Sequence, residues 1–137
     1  MKTQLQDEDY YALASFRYAM RKFLRFSKIA LAAKGGLTPE QYEALLAMRA
    51  FGDSRGLNIG ELSERLQVKH HTAVSLADKL VARKLTKRKP GTSDRRQVYL
   101  NLTAAGESLL ERVAVLHRQE LRVRSAEMID ALLRLQK

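Results

Sequence analysis

The spacing of hydrophobic residues changes twice between residues 58 and 103, and these changes predict the elements of the central part of the chain. Asn58 is a favourable helix N-cap. The apolar stripe that follows it at helical spacing consists of Ile59, Leu62 and Leu66. A break at residues 67–69 precedes a second helix, predicted from His70 to about Arg83. The side of this helix that is predicted to be buried carries Ala73, Leu76, Ala77 and Leu80.

The hydrophobic period then shortens to two, which is typical of a half-buried strand. The alternating apolar positions of this strand are Val98, Leu100 and Leu102. Residues 85–89 are the predicted partner strand, and Pro90-Gly91 is the predicted loop of the hairpin between them. Two helices separated by a tight break and followed by a hairpin are the elements of a winged helix-turn-helix.

The N-terminal third of the chain carries two further helical patterns. Residues 9–33 form a long amphipathic pattern, which a Lys34-Gly35-Gly36 break ends. Thr38 then provides an N-cap, and Pro39 occupies the first helical position, where its missing N–H costs nothing. This second helix is predicted to extend to Phe51.

The C-terminal part of the chain is predicted to form two helices. Thr103 is a favourable N-cap for the first, and Ser125 is the predicted N-cap of a last short helix. Together with the helix of residues 9–33, which spans roughly 37 Å at 1.5 Å per residue, they offer more apolar surface than one small domain covers.

We therefore expect both ends of the chain to form a homodimer. This divides the sequence into an N-terminal dimerisation helix (1–36), a winged helix-turn-helix (37–103) and C-terminal dimerisation helices (104–137). A monomer with folded-back helices and a helix lying on a membrane surface are the alternatives. Charges of both signs alternate around residues 9–33, which favours helix packing over membrane binding.

Positive charge is concentrated in the same central part. Residues 65–96 contain ten Lys or Arg and two Asp, a net charge of +8 out of +10 for all 137 residues. Such a local excess is typical of a protein that binds a polyanion. A solvated basic face that binds nothing is the alternative, and it is disfavoured because the charge lies on the helix and hairpin that a winged helix presents to DNA.

Composition narrows the class of protein. An apolar fraction of 45% with two prolines and seven glycines is typical of a folded, mainly α chain. No run of about 18 uncharged apolar residues predicts a membrane span, and the N-terminus lacks the apolar stretch of a signal peptide. The absence of cysteine excludes disulfides and thiolate metal sites. We expect a cytoplasmic, nucleoid-associated protein.

Catalytic and metal-binding functions are not predicted. The chain lacks a Gly-rich phosphate loop and a recognisable set of nucleophile, base and orienting group, so we expect no enzyme and no cofactor. His70 and His71 are adjacent, and adjacent helical side chains point about 100° apart, so they do not chelate one ion without further ligands. His117 stands alone on its helix and is either a structural or a solvent-facing residue.

Two segments carry a more specific similarity. Residues 36–41 have the sequence Gly-Leu-Thr-Pro-Glu-Gln at the start of a helix. Asp94-Arg95-Arg96 precedes an alternating strand that ends in Leu102-Thr103, and Gly106 follows three residues later. In combination these motifs resemble the MarR (multiple antibiotic resistance regulator) family of bacterial transcription factors, over residues 13–135.

The resemblance implies a transcriptional regulator, often a repressor, that binds double-stranded DNA as a homodimer. Its recognition helices would enter successive major grooves, and its wings would reach the flanking minor grooves. It also implies a small aromatic or apolar acid as effector, held in a cleft. The residues that would line this cleft are Phe16, Arg17, Met20, Arg21 and Tyr42. Lys84 departs from the family's usual glycine after the recognition helix, and Lys69 departs from a small polar cap.

The expected DNA contacts lie on the second helix of the motif and on the hairpin. Thr72 and Ser75 offer hydrogen-bonding groups to base edges, and Val74 offers an apolar contact to a thymine methyl group. Asp94 stands at a spacing from Arg96 that can orient its guanidinium. The full set is Lys69, His70, His71, Thr72, Val74, Ser75, Lys79, Arg83, Lys87, Arg88, Asp94, Arg95 and Arg96. An architectural protein that binds DNA without sequence preference is the alternative function.

Overall fold

The computed structural model describes residues 4–137, which form five helices and one β-hairpin. The helices are α1 (Asp7–Gly35), α2 (Pro39–Phe51), α3 (Ile59–Leu66), α4 (His70–Ala82) and α5 (Ala104–Leu135). The strands are β1 (Thr86–Pro90) and β2 (Val98–Leu102), placed between α4 and α5. The predicted fold class, mainly α with a small hairpin in a winged helix-turn-helix, is confirmed.

The chain divides into two compact units. The central unit runs from Leu31 to Val113, and the terminal unit combines the two ends, up to Ala30 and from Ala114 onward. Helices α1 and α5 each have residues in both units. The assignment of residues 1–36 and 104–137 to dimerisation stays a prediction.

The central unit is built around one hydrophobic core. The buried side of α4 is the predicted one: Ala73, Leu76, Ala77 and Leu80. Leu62 of α3 and Leu45 of α2 are fully buried in the same core, at 0% exposure. Burying a leucine side chain contributes about 1.5–3 kcal/mol, so these helices are held mainly by the side chains that the periodicity selects.

Helices α2 and α3 begin with reciprocal capping boxes. The Gln41 N–H donates to Thr38 Oγ1, and the Thr38 N–H donates to Gln41 Oε1, both at 3.1 Å. At α3, the Glu61 N–H donates to Asn58 Oδ1 at 2.8 Å, and the Asn58 N–H donates to Glu61 Oε1 at 3.0 Å. Each box satisfies amides that have no acceptor within the helix, which fixes both starts where the sequence predicts them.

The hairpin differs from its prediction in two places. Pro90 is the last residue of β1 and pairs with Val98, so the loop is residues 91–97 rather than Pro90-Gly91. A proline fits at the end of an edge strand, where its missing N–H breaks no ladder bond. Leu100 is buried and Leu102 half-buried, as predicted, but Val98 is 43% exposed because it lies beside the loop.

The terminal unit contains the outer parts of α1 and α5. The most completely buried residues of this unit are small: Ala12 and Ala19 are 0% exposed and Ala131 is 1% exposed. Ser27 Oγ and His117 Nε2 form a buried hydrogen bond of 2.8 Å between the two helices. His117 is therefore the structural residue of the two alternatives, and the rings of Phe23 and Phe26 contact it edge-on.

The prediction of a separate last helix is wrong. Helix α5 is continuous, and Ser125 lies inside it, where its hydroxyl donates to the Arg122 carbonyl at 3.2 Å. No glycine or proline follows Gly106, and ion pairs of Arg124 and Arg134 with residues four positions earlier support the helix. No helix in the described part of the chain is long and apolar enough to span a membrane.

Candidate nucleic-acid interface

Helix α4 carries a polar side that is not part of the core. Its exposed or half-buried side chains include His70, His71, Thr72, Val74, Ser75 and Lys79. Thr72 and Ser75 are three residues apart, so their hydroxyl groups lie on the same side of the helix. This arrangement places hydrogen-bonding groups where a helix inserted in a major groove contacts base edges.

The N-terminus of α4 lacks a side-chain cap. Lys69 occupies the N-cap position, and only its carbonyl takes part, accepting from the Thr72 and Ala73 N–H groups at 3.0 and 3.1 Å. The N–H groups of His70 and His71 precede these and have no acceptor within the helix. A helix N-terminus of this kind, next to a lysine, favours an anionic group such as a phosphate.

Among residues 4–137, no group of three or more His, Asp or Glu side chains is arranged to hold a metal ion.

The turn after α4 contains a left-handed residue that is not glycine. Lys84 has φ of 61°, its N–H donates to the Val81 carbonyl at 2.9 Å, and the Leu85 N–H donates to the Leu80 carbonyl at 3.0 Å. The left-handed conformation costs a side-chain-bearing residue roughly 1–2 kcal/mol. The helix thus ends in a left-handed residue that carries a side chain, at an energetic cost.

Arg83 is bonded to another part of the central unit. Its Nη1 donates to the Gly36 carbonyl at 2.9 Å, and its Nη2 donates to the Gly35 carbonyl at 3.3 Å. The guanidinium therefore caps the C-terminal end of α1. This contact could not be predicted from the sequence, because the bonded residues are 47 and 48 positions apart.

The loop of the hairpin is held by its own backbone. The Gly91 N–H donates to the Gln97 carbonyl at 2.8 Å, and the Gln97 N–H donates to the Asp94 carbonyl at 3.1 Å. A side chain at position 91 would collide with that same Asp94 carbonyl, so glycine is required there.

Asp94 and Arg96 are in contact, as their spacing predicts. Asp94 Oδ1 accepts the backbone N–H of Arg96 at 3.0 Å and its Nε at 3.3 Å. The Arg96 side chain nevertheless remains 92% exposed. The carboxylate thus orders both the turn and the guanidinium of the arginine, and the role of this pair in binding stays a prediction.

The other basic residues of the hairpin are not equivalent. Lys87 and Arg95 are exposed, whereas Arg88 on β1 forms an ion pair with Asp78 on α4 through Nη2 and Oδ1. Both partners are partly exposed, at 44% and 59%, so the pair contributes little to stability. Its main effect is to neutralise part of the positive charge between helix and hairpin.

A cluster that the sequence did not reveal connects the α2–α3 loop to the hairpin. Arg55 Nη2 lies 2.6 Å from Glu61 Oε2, and the guanidinium stacks on the Tyr99 ring with its carbon 4.6 Å from the ring centroid. The Asn58 N–H, aided by the Arg55 guanidinium, holds the pKa of the Glu61 carboxyl below its ordinary value. Asn101 of β2 also donates to the Arg55 carbonyl, at 3.3 Å.

The residues of the predicted effector cleft fall in both units. Tyr42 is buried in the core of the central unit, and burial raises the pKa of its hydroxyl. In the terminal unit Phe16 is half-buried, and Arg17, Met20 and Arg21 are exposed. Their shared role in binding an effector stays a prediction.

Comparison with known proteins shows a similarity to one family over the central part of the chain. The sequence profile of the MarR family matches residues 35–97, from the end of α1 through the hairpin loop. The HTH-type transcriptional repressor MdtR of Bacillus subtilis (strain 168) is 35% identical over 80 residues, which are 58% of this chain and 50% of MdtR. The chain is thus similar to the MarR family over residues 35–97, somewhat less than half of its length. It spans about half the length of the curated relatives that it matches.

Solved structures share this fold over most of the chain. YusO from Bacillus subtilis is 27% identical with a TM-score of 0.65, covering 88% of this chain and 86% of YusO. The Staphylococcus aureus MepR–DNA complex gives 22% identity and a TM-score of 0.71, covering 82% of this chain and 80% of MepR. At that identity the likeness to MepR shows the fold alone.

Proposed function

We propose that this protein, which resembles the MarR family, is a sequence-specific, DNA-binding transcriptional regulator. The observation that carries the proposal is that the +8 charge of residues 65–96 surrounds a helix side that also bears Thr72 and Ser75. Cations attract any duplex, whereas side-chain hydroxyl groups at base edges discriminate between sequences. The names of similar proteins support the class, since MdtR is called a transcriptional repressor and MepR was solved with DNA.

In this proposal α4 enters the major groove and the hairpin reaches the adjacent minor groove. Lys69 and Lys79 contact phosphates at the two sides of α4, while Arg95 and Arg96 extend from the hairpin. Asp94 orients Arg96. The remaining proposed contacts are His70, His71, Thr72, Val74, Ser75, Lys87 and Arg88.

The exposed apolar surface of the terminal unit supports a homodimer. Among the described residues, every exposed large hydrophobic side chain lies in this unit except Leu46, Phe51 and Val98. Tyr18 and Val123 are examples, at 62% and 75% exposure. Apolar surface of this extent is typical of a protein–protein contact, and we propose a second copy of the chain as the partner.

Native mass measurement tests the dimer. At low micromolar concentration we expect twice the chain mass of 15.6 kDa. Val123→Asp, in the terminal unit, is expected to weaken the dimer, whereas Leu46→Asp, at an exposed apolar site on α2, is the control and should leave it intact. A stable, folded parent monomer would overturn this part of the proposal.

Selection from a random duplex library tests sequence specificity. Two-fold symmetry requires a pseudo-palindromic site with half-sites about one helical turn, ~10 bp, apart. Affinity should also fall steeply with salt, because each subunit neutralises several phosphates. If selection returns no dyad while the salt dependence remains, the protein is the architectural alternative, which binds DNA by charge without sequence preference.

We further propose that the protein is a repressor released by a small aromatic or apolar acid. The support is the similarity to the MarR family together with exposed Arg17 and Arg21, each able to pair with a carboxylate. A metabolite screen should find a compound that both raises the melting temperature and lowers DNA affinity. If no acid does either, the regulator acts without an effector.

A further inference from the structure

The turn that ends α4 contacts two other elements of the central unit at once. Towards α1, the contact is the Arg83 guanidinium on the carbonyls of Gly35 and Gly36. Towards α5, the contact is made by the main chain of the turn: Thr103 Oγ1 donates to the Lys84 carbonyl at 2.7 Å, and the Thr103 N–H donates to the Leu85 carbonyl at 3.1 Å.

The contact with α5 is close. Thr103 is also the N-cap of α5, since its Oγ1 accepts the Gly106 N–H at 3.0 Å. Gly106 packs directly on the Leu85 carbonyl, and any side chain at this position would collide with that oxygen. The first turn of α5 and the turn after α4 are therefore fixed to each other.

The contact with α1 requires an arginine. Gly36 has φ of 58° and ends the helix, so the last carbonyls of α1 lack donors within it and carry partial negative charge. The planar guanidinium provides two separate N–H groups, one for each carbonyl. A lysine ammonium is a point charge on a flexible stem and does not reproduce this fork.

We propose that Arg83 is a positioning residue for DNA recognition, which fixes the C-terminal end of α4 against α1, and that it is not a phosphate contact. The inference rests on the proposed DNA-binding function. Two of the five N–H groups of the guanidinium already donate to backbone carbonyls, and these bonds hold the side chain at the end of α1. Because the same turn is fixed to α5, loss of Arg83 would free one of its two attachments and change the angle at which α4 meets the groove.

The test compares Arg83→Ala and Arg83→Lys with Lys79→Ala, which removes a charge from the exposed side of the same helix. Affinity is measured for the selected site and for a random duplex over a range of salt concentrations. Hydrogen exchange of the segment around Leu37, whose N–H donates to the Leu31 carbonyl, reports the end of α1 without DNA.

If Arg83 positions α4, both Arg83 variants lose about 10-fold in affinity for the selected site, the size of one lost base contact. Their salt dependence stays that of the parent, and exchange around Leu37 accelerates in both. Lys79→Ala instead makes the fall of the logarithm of the binding constant with the logarithm of the salt concentration less steep. The change in slope should be about 0.9 for each phosphate contact that is lost. Thus charge retention in Arg83→Lys should not rescue specific binding.

The proposal is overturned if Arg83→Lys binds the selected site like the parent, or if Arg83→Ala lowers the salt slope as Lys79→Ala does while exchange around Leu37 is unchanged. These results would restore Arg83 to the set of phosphate contacts. A parent protein that prefers no duplex over another would instead disprove the proposed function itself, and the positioning role with it.

Discussion

Asp78 on α4 is paired with Arg88 on β1, and this contact links the helix proposed to enter the major groove to the hairpin beside it. Residues 65–96 contain only one other acidic residue, Asp94, and it is bonded to Arg96. Both carboxylates of the basic segment therefore hold an arginine. The electrostatic attraction of this surface for DNA is thus lower than its count of cations suggests.

Asp78→Asn should increase affinity for DNA of any sequence. The change removes one negative charge and releases Arg88 for a phosphate, so the slope of log K against log salt should steepen by up to about 0.9 per subunit. Preference for the selected site over random duplex should stay near that of the parent, because a gain that is independent of sequence raises both affinities by the same factor. Salt titrations on both duplexes measure these quantities.

Glu43→Gln is the matched control for Asp78→Asn, since it makes the same change in net charge on α2. It should leave the slope close to that of the parent. If both variants behave alike, the effect of Asp78 is one of total charge, and its pairing with Arg88 has no role in binding.

Gly106→Ala should destabilise the protein strongly. The new Cβ would collide with the Leu85 carbonyl, a backbone atom that cannot move without displacing the turn after α4. Overpacking of this kind costs about 1–3 kcal/mol or more in the free energy of unfolding. Urea denaturation measures the loss.

Gly60→Ala should have the opposite effect on stability. Gly60 lies in the first turn of α3, and a Cβ there would meet only Asn58 Oδ1, at an ordinary 3.4 Å. Replacing a helical glycine by alanine should stabilise the protein by roughly 0.5–1 kcal/mol. Equal destabilisation by the two substitutions would show that the contact with Leu85 is not the reason for the glycine at position 106.

Local patterns in the sequence were sufficient to predict the helix starts that are determined by bonds between nearby residues. Thr38 and Asn58 were identified as caps because a side-chain oxygen before an apolar stripe binds amides only three residues away. The same rule failed at Ser125, because a serine also bonds a carbonyl within a helix when no glycine or proline ends it. A residue type that favours the N-cap indicates a helix start only where the residues before it are not helical.

The candidate site was predictable in composition but not in its contacts. The charge of residues 65–96 and the outward positions of α4 follow from the sequence. The partners of Arg83 and Arg55 do not, since Gly36 and Tyr99 are 47 and 44 residues away from them. Periodicity assigns a side chain to a face of its own element, and only the tertiary arrangement determines what that face meets.

The Glu61 carboxylate should make stability depend on acid pH. Its pKa is lowered in the folded state, first by the Asn58 N–H and also by Arg55, so its contribution is present above the ordinary value of 4.5 and is lost as the pH falls through the lowered pKa. The melting temperature of the parent should therefore decline between about pH 5 and pH 3 more steeply than that of Glu61→Gln.

Arg55→Ala separates the two causes of the lowered Glu61 pKa. It keeps the hydrogen bond from Asn58 and removes the guanidinium. The decline of its melting temperature with falling pH should therefore lie between those of the parent and Glu61→Gln. Parallel pH profiles for all three proteins would show that Glu61 contributes nothing to the acid dependence of folding.

Arg96→Ala should weaken DNA binding and leave folding almost unchanged. The side chain is 92% exposed, and its contact with Asp94 is a surface ion pair worth about 0–1 kcal/mol. An arginine in a narrow, A·T-rich minor groove experiences a concentrated negative potential. We therefore expect a loss of about 1–3 kcal/mol in binding, larger on sites with A·T-rich flanks, with a melting temperature near that of the parent.

Two substitutions of Asp94 distinguish orientation of the arginine from order in the loop. Asp94→Asn keeps an oxygen for the Arg96 N–H but loses the charge that holds Nε, whereas Asp94→Ala loses both bonds. Each should cost less binding than Arg96→Ala, because removing a carboxylate near phosphate also relieves repulsion. Asp94→Ala should cost more than Asp94→Asn, since it also frees the turn that carries Arg96.

Thr72→Ala, on α4, should instead relax preference in the central half-site and leave flank preference unchanged. Should Arg96→Ala bind every duplex as tightly as the parent at the same salt concentration, the hairpin does not take part in recognition, and the contact between Asp94 and Arg96 serves only the loop.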